Sequence, residues 1–227
     1  MDRQDVEVAV DGGAVPVIVL ATDDPATRPA LLCVPSIFGA NDDLVDQLAS
    51  LTDVATTAVM DPFWTVSPGP IPYADRKAAF ERAGALDRSR TPGDVAAVAR
   101  WLADRSNGRV AGLGICFGGP PVLLGMSAGA LAGVVTWHGS RMEGVLDRLD
   151  VTAMTGPLRF HFGDADPITP PDAIGAVAAA FAANGDCAIV VHPGADHGFS
   201  HEGDAWDAEA TAAGMADLRA VLEQLAG

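Results

Sequence analysis

The 227-residue sequence is poor in basic residues, with 14 Lys and Arg against 30 Asp and Glu and a net charge of −16. A chain with this charge is not expected to bind nucleic acid or an anionic membrane surface, because both need basic patches. No apolar run reaches the about 18 residues of a transmembrane helix, since the nearest candidate, Val110–Leu124, is broken by glycines and prolines. The beginning of the sequence does not resemble a signal peptide, so the expected location is the cytoplasm.

Cysteine is also scarce, with Cys33, Cys116 and Cys187 as the three in the chain. An odd number at wide spacing is atypical of a disulfide framework and of a zinc site. His197 and His201 have the spacing of two metal ligands on one helix face, but the glycines around them indicate a loop. We therefore expect neither a structural disulfide nor a bound metal.

Hydrophobic residues make up 49% of the chain and charged residues 19%, which favours a folded protein over a disordered one. No repeat or linker is recognisable, so a single domain over residues 1–227 is predicted. Short runs rich in Val, Ile and Leu are expected to form strands. These runs are Val6–Val10, Val15–Ala21, Ala30–Pro35, Thr56–Met60, Val110–Ile115, Gly133–Trp137, Leu158–Phe162 and Ala188–His192.

Segments with helical spacing of apolar residues follow or separate these runs. They are Asp42–Leu51, Ala74–Ala85, Thr91–Arg105, Pro120–Ala130, Pro171–Asn184 and Ala205–Leu225. Asp11-Gly12-Gly13 predicts a hairpin between the first two strands, and Thr91-Pro92 predicts a helix N-cap at Thr91. The alternation of strands and helices predicts an α/β fold, with a mostly parallel sheet of about eight strands and helices on both faces. Ligands of such sheets bind beyond the carboxyl ends of the strands.

The strand ending at Ile115 runs directly into Gly114-x-Cys116-x-Gly118, which has the spacing of a nucleophile elbow with cysteine in place of serine. The sharp turn needs small neighbours two residues on either side of the nucleophile. The following helix offers a free N–H and a positive dipole end, and both favour a thiolate and an oxyanion. Two competing interpretations are a buried structural cysteine and a dinucleotide-binding loop. The loop would require glycine at position 117, where this sequence has Phe117.

Two later strand ends carry the other residue types that a hydrolase needs. Asp164 and Asp166 follow the strand ending at Phe162, and either carboxylate could orient a histidine. His197 lies in a glycine-flanked loop after the last strand. The chain order of Cys116, then an aspartate, then His197 is the order of nucleophile, acid and histidine in α/β-hydrolases. At other strand ends and loops, His138, Trp64 and Phe199 are candidates to contact substrate, with core packing as the alternative.

These segments resemble the dienelactone hydrolase (carboxymethylenebutenolidase) family over nearly the whole chain. The segments that carry the resemblance are Pro35-Ser-Ile-Phe-Gly-Ala-Asn41, Asp61-Pro-Phe-Trp64, Gly114-Ile-Cys-Phe-Gly-Gly119, Gly163-Asp-Ala-Asp-Pro-Ile-Thr-Pro170 and Asp196-His-Gly-Phe199. The family has the α/β-hydrolase fold and opens small unsaturated lactones through an acyl-enzyme. The resemblance implies a triad of Cys116, Asp166 and His197, with the backbone N–H groups of Ile37 and Phe117 as the oxyanion hole.

The sequence departs from the family at two positions. Ser36 stands where the family typically has a glutamate that takes the thiol proton, so His197 would have to activate Cys116 directly. Of the family's two arginines for the substrate carboxylate, Arg76 matches one by its spacing, whereas His201 replaces the other. The resemblance thus places Ser36, Arg76 and His201 in the substrate-binding site and leaves an anionic lactone less secure as the substrate.

The sequence therefore predicts a hydrolase of a small ester or lactone that uses a Cys-His-Asp triad and a thioester acyl-enzyme. No cofactor is expected, and the expected assembly is a monomer or a weak homo-oligomer. Because of Ser36, two alternatives stay open at this point: a weakly active or non-catalytic ligand-binding family member, and a redox-sensing protein that uses the Cys116 thiol.

Overall fold

A computed structural model describes residues 2–227, which begin with a β-hairpin at one edge of the sheet. Strands β1 (Asp2–Val10) and β2 (Gly13–Ala21) pair antiparallel. Gly12 lies in the turn with φ of 78°, a left-handed conformation that favours glycine. The predicted hairpin is confirmed. Its first strand begins earlier than the apolar run predicted, because the polar residues from Asp2 to Asp5 continue the backbone pairing with β2 without needing an apolar face.

The remaining strands complete one eight-stranded sheet in the order β1-β2-β4-β3-β5-β6-β7-β8. They are β3 (Ala30–Val34), β4 (Thr56–Met60), β5 (Val110–Ile115), β6 (Gly133–Trp137), β7 (Leu158–Gly163) and β8 (Cys187–His192). Strand β2 pairs antiparallel with β4, and all pairings from β4 to β8 are parallel. Every predicted strand is present, and the expected mostly parallel sheet is confirmed.

The helices cover both faces of the sheet, as predicted. They are α1 (Asp42–Ala49), α2 (Arg76–Ala85), α3 (Thr91–Ala103), α4 (Gly119–Ser127), α5 (Pro171–Ala180) and α6 (Ala208–Ala226). Helices α2 to α5 contribute to one hydrophobic core, whereas α1 and α6 contribute to the other. The alternation along β3 shows the division, because Leu32 and Val34 belong to the first core and Leu31 and Cys33 to the second.

Two helices begin at a capping aspartate. The carboxylate of Asp207 accepts hydrogen bonds from the N–H groups of Glu209 and Ala210 at the start of α6, and Asp75 accepts one from Ala78 in α2. The predicted N-cap at Thr91 is wrong. Helix α3 already includes Thr91, and Arg90, which has helical dihedral angles, precedes it without a capping side-chain hydrogen bond.

The parallel strands bring four loops to one edge of the sheet. The loops after β3, β5, β7 and β8 carry Ile37, Cys116, Asp166 and His197, respectively. Successive residues of this group are up to 79 positions apart in the sequence. The common direction of the strands nevertheless places all four at the same carboxyl end of the sheet. Within residues 2–227, none of the helices is long and apolar enough to cross a membrane.

Candidate active site

Cys116 lies at the sharp turn between β5 and α4. Its φ is 51°, a left-handed conformation that is uncommon for a residue with a side chain. A Cβ atom at Gly114 would lie 2.5 Å from the carbonyl oxygen of Gly118, and one at Gly118 would overlap the carbonyl oxygen of Val34. Glycine at 114 therefore allows the turn to close, and glycine at 118 allows it to pack against β3; the predicted strand-to-helix turn is present.

His197 links the thiol to a carboxylate. Its Nε2 lies 3.1 Å from Sγ of Cys116, and its Nδ1 lies 2.8 Å from Oδ2 of Asp166. The three side chains thus form a continuous chain from β5 through the loop after β8 to the loop after β7. The hydrogen bond to Asp166 orients the imidazole so that Nε2 faces the sulfur.

Asp166, and not Asp164, is the carboxylate that faces the histidine. Asp166 is buried, and its second oxygen accepts hydrogen bonds from the N–H groups of Ile168 at 2.7 Å and Thr169 at 3.2 Å. Although burial alone raises the pKa of this carboxyl, the hydrogen bond and charge of His197 and these backbone N–H groups bring it below its ordinary value. Asp164 is exposed and accepts from the N–H of Gly194 at 2.6 Å.

The surroundings of His197 stabilise its protonated form. Burial lowers the pKa of the imidazole, but its hydrogen bonds to Asp166 and Cys116 and the charges of both partners outweigh burial and raise the pKa to about 10. An imidazolium between a carboxylate and a sulfur is the arrangement of an activated Cys–His pair. The site therefore favours a protonated His197 beside the sulfur of Cys116.

Ile37 and Phe117, the residues of the two predicted oxyanion donors, both lie at the cavity that contains Cys116. Ile37 follows β3, and Phe117 follows Cys116 directly. Within the part of the chain that the structure describes, the N–H of Ile37 donates no hydrogen bond. A backbone donor without a protein acceptor, in a residue that lines the cavity, is available to a carbonyl oxygen of a ligand.

The cavity beside Cys116 has a volume of about 900 Å³. Four of the residues that line it are Phe or Tyr, and one of these, Phe80, is 55% exposed. Both signs of charge line the cavity, with arginines at 76, 88 and 141 and acidic residues at 196, 202 and 204. A volume of this size is at the upper end of the range for pockets that bind drug-sized molecules.

Two of the predicted substrate contacts, Arg76 and His201, line this cavity. The His201 ring stacks on Tyr73 with centroids 4.7 Å apart and meets Phe38 edge-on at 5.9 Å. Burial, followed by the charge of His197, lowers the pKa of His201 to about 3. The residue in the place of the family's second arginine is therefore a neutral imidazole near neutral pH.

The structure places the other predicted substrate contacts outside the cavity wall. Ser36 is buried in the loop after β3, and Phe199 is buried in the core beneath α6. Trp64 donates from Nε1 to Asp94 at 3.0 Å. Ser36 and Phe199 are therefore part of the protein interior, and the polar atom of the Trp64 ring already has a partner within the protein.

His138 lies behind the histidine of the site. Its ring is fully buried, 4.9 Å from the ring of His197, and its Nε2 lies 2.8 Å from Oγ of Ser200. Burial, and then the charges of His197 and His201, hold its pKa well below the ordinary value. One ring nitrogen of His138, the sulfur of Cys116 and a ring nitrogen of His197 lie within 4.8 Å of one another, so this is the group of side chains that could hold a metal ion.

Sequence reasoning missed Ser140. Its Oγ lies 3.8 Å from Sγ of Cys116, and its N–H donates to the carbonyl oxygen of Cys116 at 3.0 Å. Ser140 also lines the cavity. The signal was available, since Ser140 follows β6 at the same edge of the sheet where the other site residues were sought.

Comparisons with known proteins identify a family for the chain. The profile of the dienelactone hydrolase family matches residues 16–226. The carboxymethylenebutenolidase of Pseudomonas putida is 27% identical over 182 residues, which cover 77% of this chain and 76% of that protein. The enzyme of the same name from Pseudomonas knackmussii shows the same values.

Solved structures share the fold. A Klebsiella pneumoniae protein provisionally described as a dienelactone hydrolase has a TM-score of 0.82 at 21% identity, with 98% of each chain covered. A dienelactone hydrolase-like promiscuous phosphotriesterase from metagenomic libraries has a TM-score of 0.77 at 21% identity, covering 99% of this chain and 98% of that one. These likenesses establish the α/β-hydrolase fold, and with the match of the family profile to almost the whole sequence they show that the chain is a hydrolase that belongs to the dienelactone hydrolase family.

Proposed function

We propose that this hydrolase cleaves small esters or lactones through a thioester on Cys116, with His197 and Asp166 completing a catalytic triad. The observation that carries the proposal is the contact of 3.1 Å between Nε2 of His197 and Sγ of Cys116, with Asp166 at 2.8 Å on the far side of the imidazole. The names of the Pseudomonas relatives favour a lactone of the dienelactone type as one substrate.

In the first half of the reaction, the thiol proton is on His197 and the thiolate attacks the carbonyl carbon. A C–S bond forms, and the carbonyl oxygen becomes an oxyanion that accepts hydrogen bonds from the N–H groups of Ile37 and Phe117. The intermediate collapses to a thioester when the C–O bond breaks, and the leaving oxygen takes the proton from His197. With a lactone, this oxygen stays attached to the acyl group.

In the second half, water attacks the thioester while His197 accepts one of its protons. The new oxyanion accepts hydrogen bonds from the same two N–H groups. The C–S bond then breaks, which releases the carboxylic acid and returns the sulfur to the thiolate beside the imidazolium. One water is consumed for each ester bond cleaved, and every proton is transferred to or from the His197 imidazole.

Ser36 does not prevent this sequence of steps. A serine hydroxyl has too high a pKa to act as the base that the family's glutamate provides, but the imidazole of His197 already contacts the sulfur. Direct activation by His197 therefore replaces activation by a separate carboxylate.

We also propose a single domain that works in the cytoplasm, as a monomer or weak homo-oligomer. Its three cysteines are free, and a reducing compartment keeps a thiol nucleophile in its reactive form. The proposed steps are acyl and proton transfers that the side chains described above can perform without a cofactor.

The proposal is tested by mass spectrometry of the intact protein, rapidly quenched in acid after mixing with a panel of esters and lactones. We expect the mass of one acyl group on the wild-type chain, and peptide mapping to locate it at Cys116. Cys187→Ala is the matched control, since Cys187 is a second free, partly buried thiol in β8, remote from His197. It should keep the adduct and the turnover, whereas Cys116→Ala should lose both. Turnover by Cys116→Ala at the wild-type rate would exclude the thioester mechanism.

A further inference from the structure

Arg82 is a buried cation with no carboxylate partner. The residue is 4% exposed, and within residues 2–227 it forms no ion pair. The nearest carboxylate in its surroundings, Asp61, is already held by the N–H groups of Phe63 at 2.9 Å and Gly69 at 2.6 Å. Removing an arginine from water without an opposite charge is costly, so its contacts must compensate for that cost.

Backbone carbonyl groups compensate at both Nη atoms, whereas the buried Nε has no hydrogen-bond partner. Nη2 of Arg82 donates to the carbonyl oxygen of Ile37 at 2.6 Å. Nη1 donates to the carbonyl oxygens of Ser67, at 3.0 Å, and Gly69. One guanidinium thus joins the loop after β3 to the segment between β4 and α2. Hydrogen bonds from a charged donor are stronger than those between neutral groups, so the connection is rigid.

The face of the guanidinium supports the second proposed oxyanion donor. The Arg82 guanidinium carbon lies 4.3 Å from the centroid of the Phe63 ring. The Phe63 ring also packs against the ring of Phe117, whose centroid is 5.2 Å away. Arg82 therefore bonds directly to the residue with one proposed donor and, through Phe63, packs against the residue with the other.

The loop is shaped to admit the arginine. Gly39 has φ of 77°, and a Cβ atom there would lie 3.3 Å from Nη2 of Arg82 and 3.0 Å from the carbonyl oxygen of Gly69. Glycine leaves this space free at a conformation that disfavours other residues. The loop turn and the arginine therefore fit together as one unit.

We propose that Arg82 is a positioning residue that holds the loop after β3 so that the N–H of Ile37 points at the oxyanion. This inference rests on the proposed thioester mechanism. Because N–H groups stabilise an oxyanion only when they are oriented before the charge develops, a fixed carbonyl on the same residue directly affects catalysis. An arginine needed only for packing would be replaceable by an apolar side chain without effect on chemistry.

The test compares Arg82→Met and Arg82→Lys with the wild type. We expect kcat for ester hydrolysis to fall about 10- to 100-fold in Arg82→Met with little change in KM, because a misplaced donor chiefly affects the transition state. Arg82→Lys keeps the charge and one hydrogen bond, so it should recover part of the loss. Affinity for a trifluoromethyl ketone, which forms an oxyanion adduct with a thiolate, should fall by the same factor as kcat.

Alkylation of Cys116 by iodoacetamide provides the contrasting measurement, since it needs the thiolate but forms no oxyanion. Its rate should stay within about twofold of the wild type in both variants. Arg90→Met is the matched control, because Arg90 also donates to a backbone carbonyl, that of Asp11 at 2.6 Å, and lies over an aromatic ring, Trp64 at 5.3 Å. It lies outside the cavity wall and should leave kcat and ketone affinity unchanged.

Three results would overturn the role of Arg82 without bearing on the thioester mechanism. The first is a folded Arg82→Met with wild-type kcat and ketone affinity. The second is an equal fall in alkylation rate and kcat, which would show a collapse of the whole site. If Arg82→Met does not fold, a folded Arg82→Lys with wild-type kcat and ketone affinity is equally decisive. A wild-type enzyme insensitive to the ketone would instead overturn the thioester mechanism, and the role of Arg82 with it.

Discussion

The hydroxyl oxygen of Ser36 accepts a hydrogen bond from the N–H of Phe38 at 3.3 Å. Ser36 is 2% exposed, so this hydroxyl belongs to the interior of the loop after β3 and does not face substrate. The position at which the family typically has a glutamate is thus used here to shape the loop that carries Ile37.

Ser36→Glu is expected to destabilise the protein without a gain in activity. Glutamate is larger than serine, and burying its charge in this loop is costly, so we expect the free energy of unfolding to fall by about 2 kcal/mol or more. Ser36→Ala removes only the acceptor for Phe38 and should cost about 1 kcal/mol. Urea denaturation measures both effects, and hydrolysis of a dienelactone-like substrate measures activity.

Ser50→Glu serves as the control for Ser36→Glu, since Ser50 is exposed at the end of α1. The same substitution there should change the free energy of unfolding by about 0.5 kcal/mol or less. Faster lactone hydrolysis by Ser36→Glu would contradict direct activation by His197, because it would show that a carboxylate base is missing from this site.

Asp166→Asn is expected to lower the pKa of His197. The hydrogen bond with Asp166 is the largest of the effects that raise this pKa to about 10, against the opposing effect of burial. Nitrogen-15 NMR of the histidine ring follows the titration directly. The wild-type imidazole should hold its second proton until pH approaches 10, and the variant should release it at lower pH, with a fall in kcat of at least about 100-fold.

The matched control for this experiment is Asp164→Asn, which removes the exposed carboxylate two residues away. Asp164 accepts from the N–H of Gly194 and makes no contact with His197, so the titration should not move. An equal shift in both variants would mean that overall charge, and not the hydrogen bond of Asp166, sets the pKa of His197.

These two aspartates show how far sequence reasoning extends. Alternation of apolar runs predicted every strand of the sheet, because burial on both faces requires continuous apolar segments in parallel strands. The rule that ligands bind at strand ends then directed attention to the loops with Cys116, Asp166 and His197. However, this rule did not distinguish Asp164 from Asp166 as the partner of the histidine. The direction of a loop side chain depends on turns that the residue types alone do not determine.

Long-range packing explains the remaining differences between the predicted site and the observed one. The sequence made Trp64 a candidate to contact substrate. In the structure its indole N–H donates to Asp94, thirty residues later in the chain, and its ring occupies the space beside Gly13. Arg82 belongs to no recognisable motif, and its proposed positioning role follows only from the backbone carbonyl groups to which it donates hydrogen bonds. Such long-range partners are set by tertiary structure and leave no local pattern in the sequence.

The buried His161, which contacts the partly buried His192, predicts a loss of stability in acid. Nδ1 of His161 lies 3.0 Å from Nε2 of His192, and its own Nε2 lies 3.2 Å from Oδ2 of Asp217 in α6. Burial, partly offset by Asp217 and reinforced by His192 and Arg159, lowers the pKa of His161 to about 4. The unfolded chain binds this proton near pH 6.5, so stability falls as pH drops from about 6.5 to about 4.

The variant that isolates this effect is His161→Gln, which keeps a polar group of similar size but does not titrate. Over the interval from pH 6.5 to pH 4, the free energy of unfolding should fall less steeply than in the wild type, by up to about 1.4 kcal/mol per pH unit. Urea midpoints at several pH values measure the slope. Parallel slopes for the two proteins would show that other groups account for the acid sensitivity.

Gly118 and Gly175 should respond to alanine in opposite directions. A Cβ atom at Gly118 would overlap the carbonyl oxygen of Val34, a backbone atom of a central strand that has no room to move. Gly118→Ala is therefore expected to lower the free energy of unfolding by about 3 kcal/mol or more, and to disturb the turn that presents Cys116 and Phe117.

Gly175 lies on the exposed face of α5, where a Cβ atom would meet nothing within 4 Å. Gly175→Ala should raise the free energy of unfolding by about 0.5 to 1 kcal/mol, because alanine loses less conformational entropy than glycine in a helix. Thermal and urea denaturation of both variants, with ester hydrolysis measured beside them, make the comparison. A stable and fully active Gly118→Ala would mean that the turn at Cys116 does not need its close approach to β3, and this would remove the physical reason for glycine at that position.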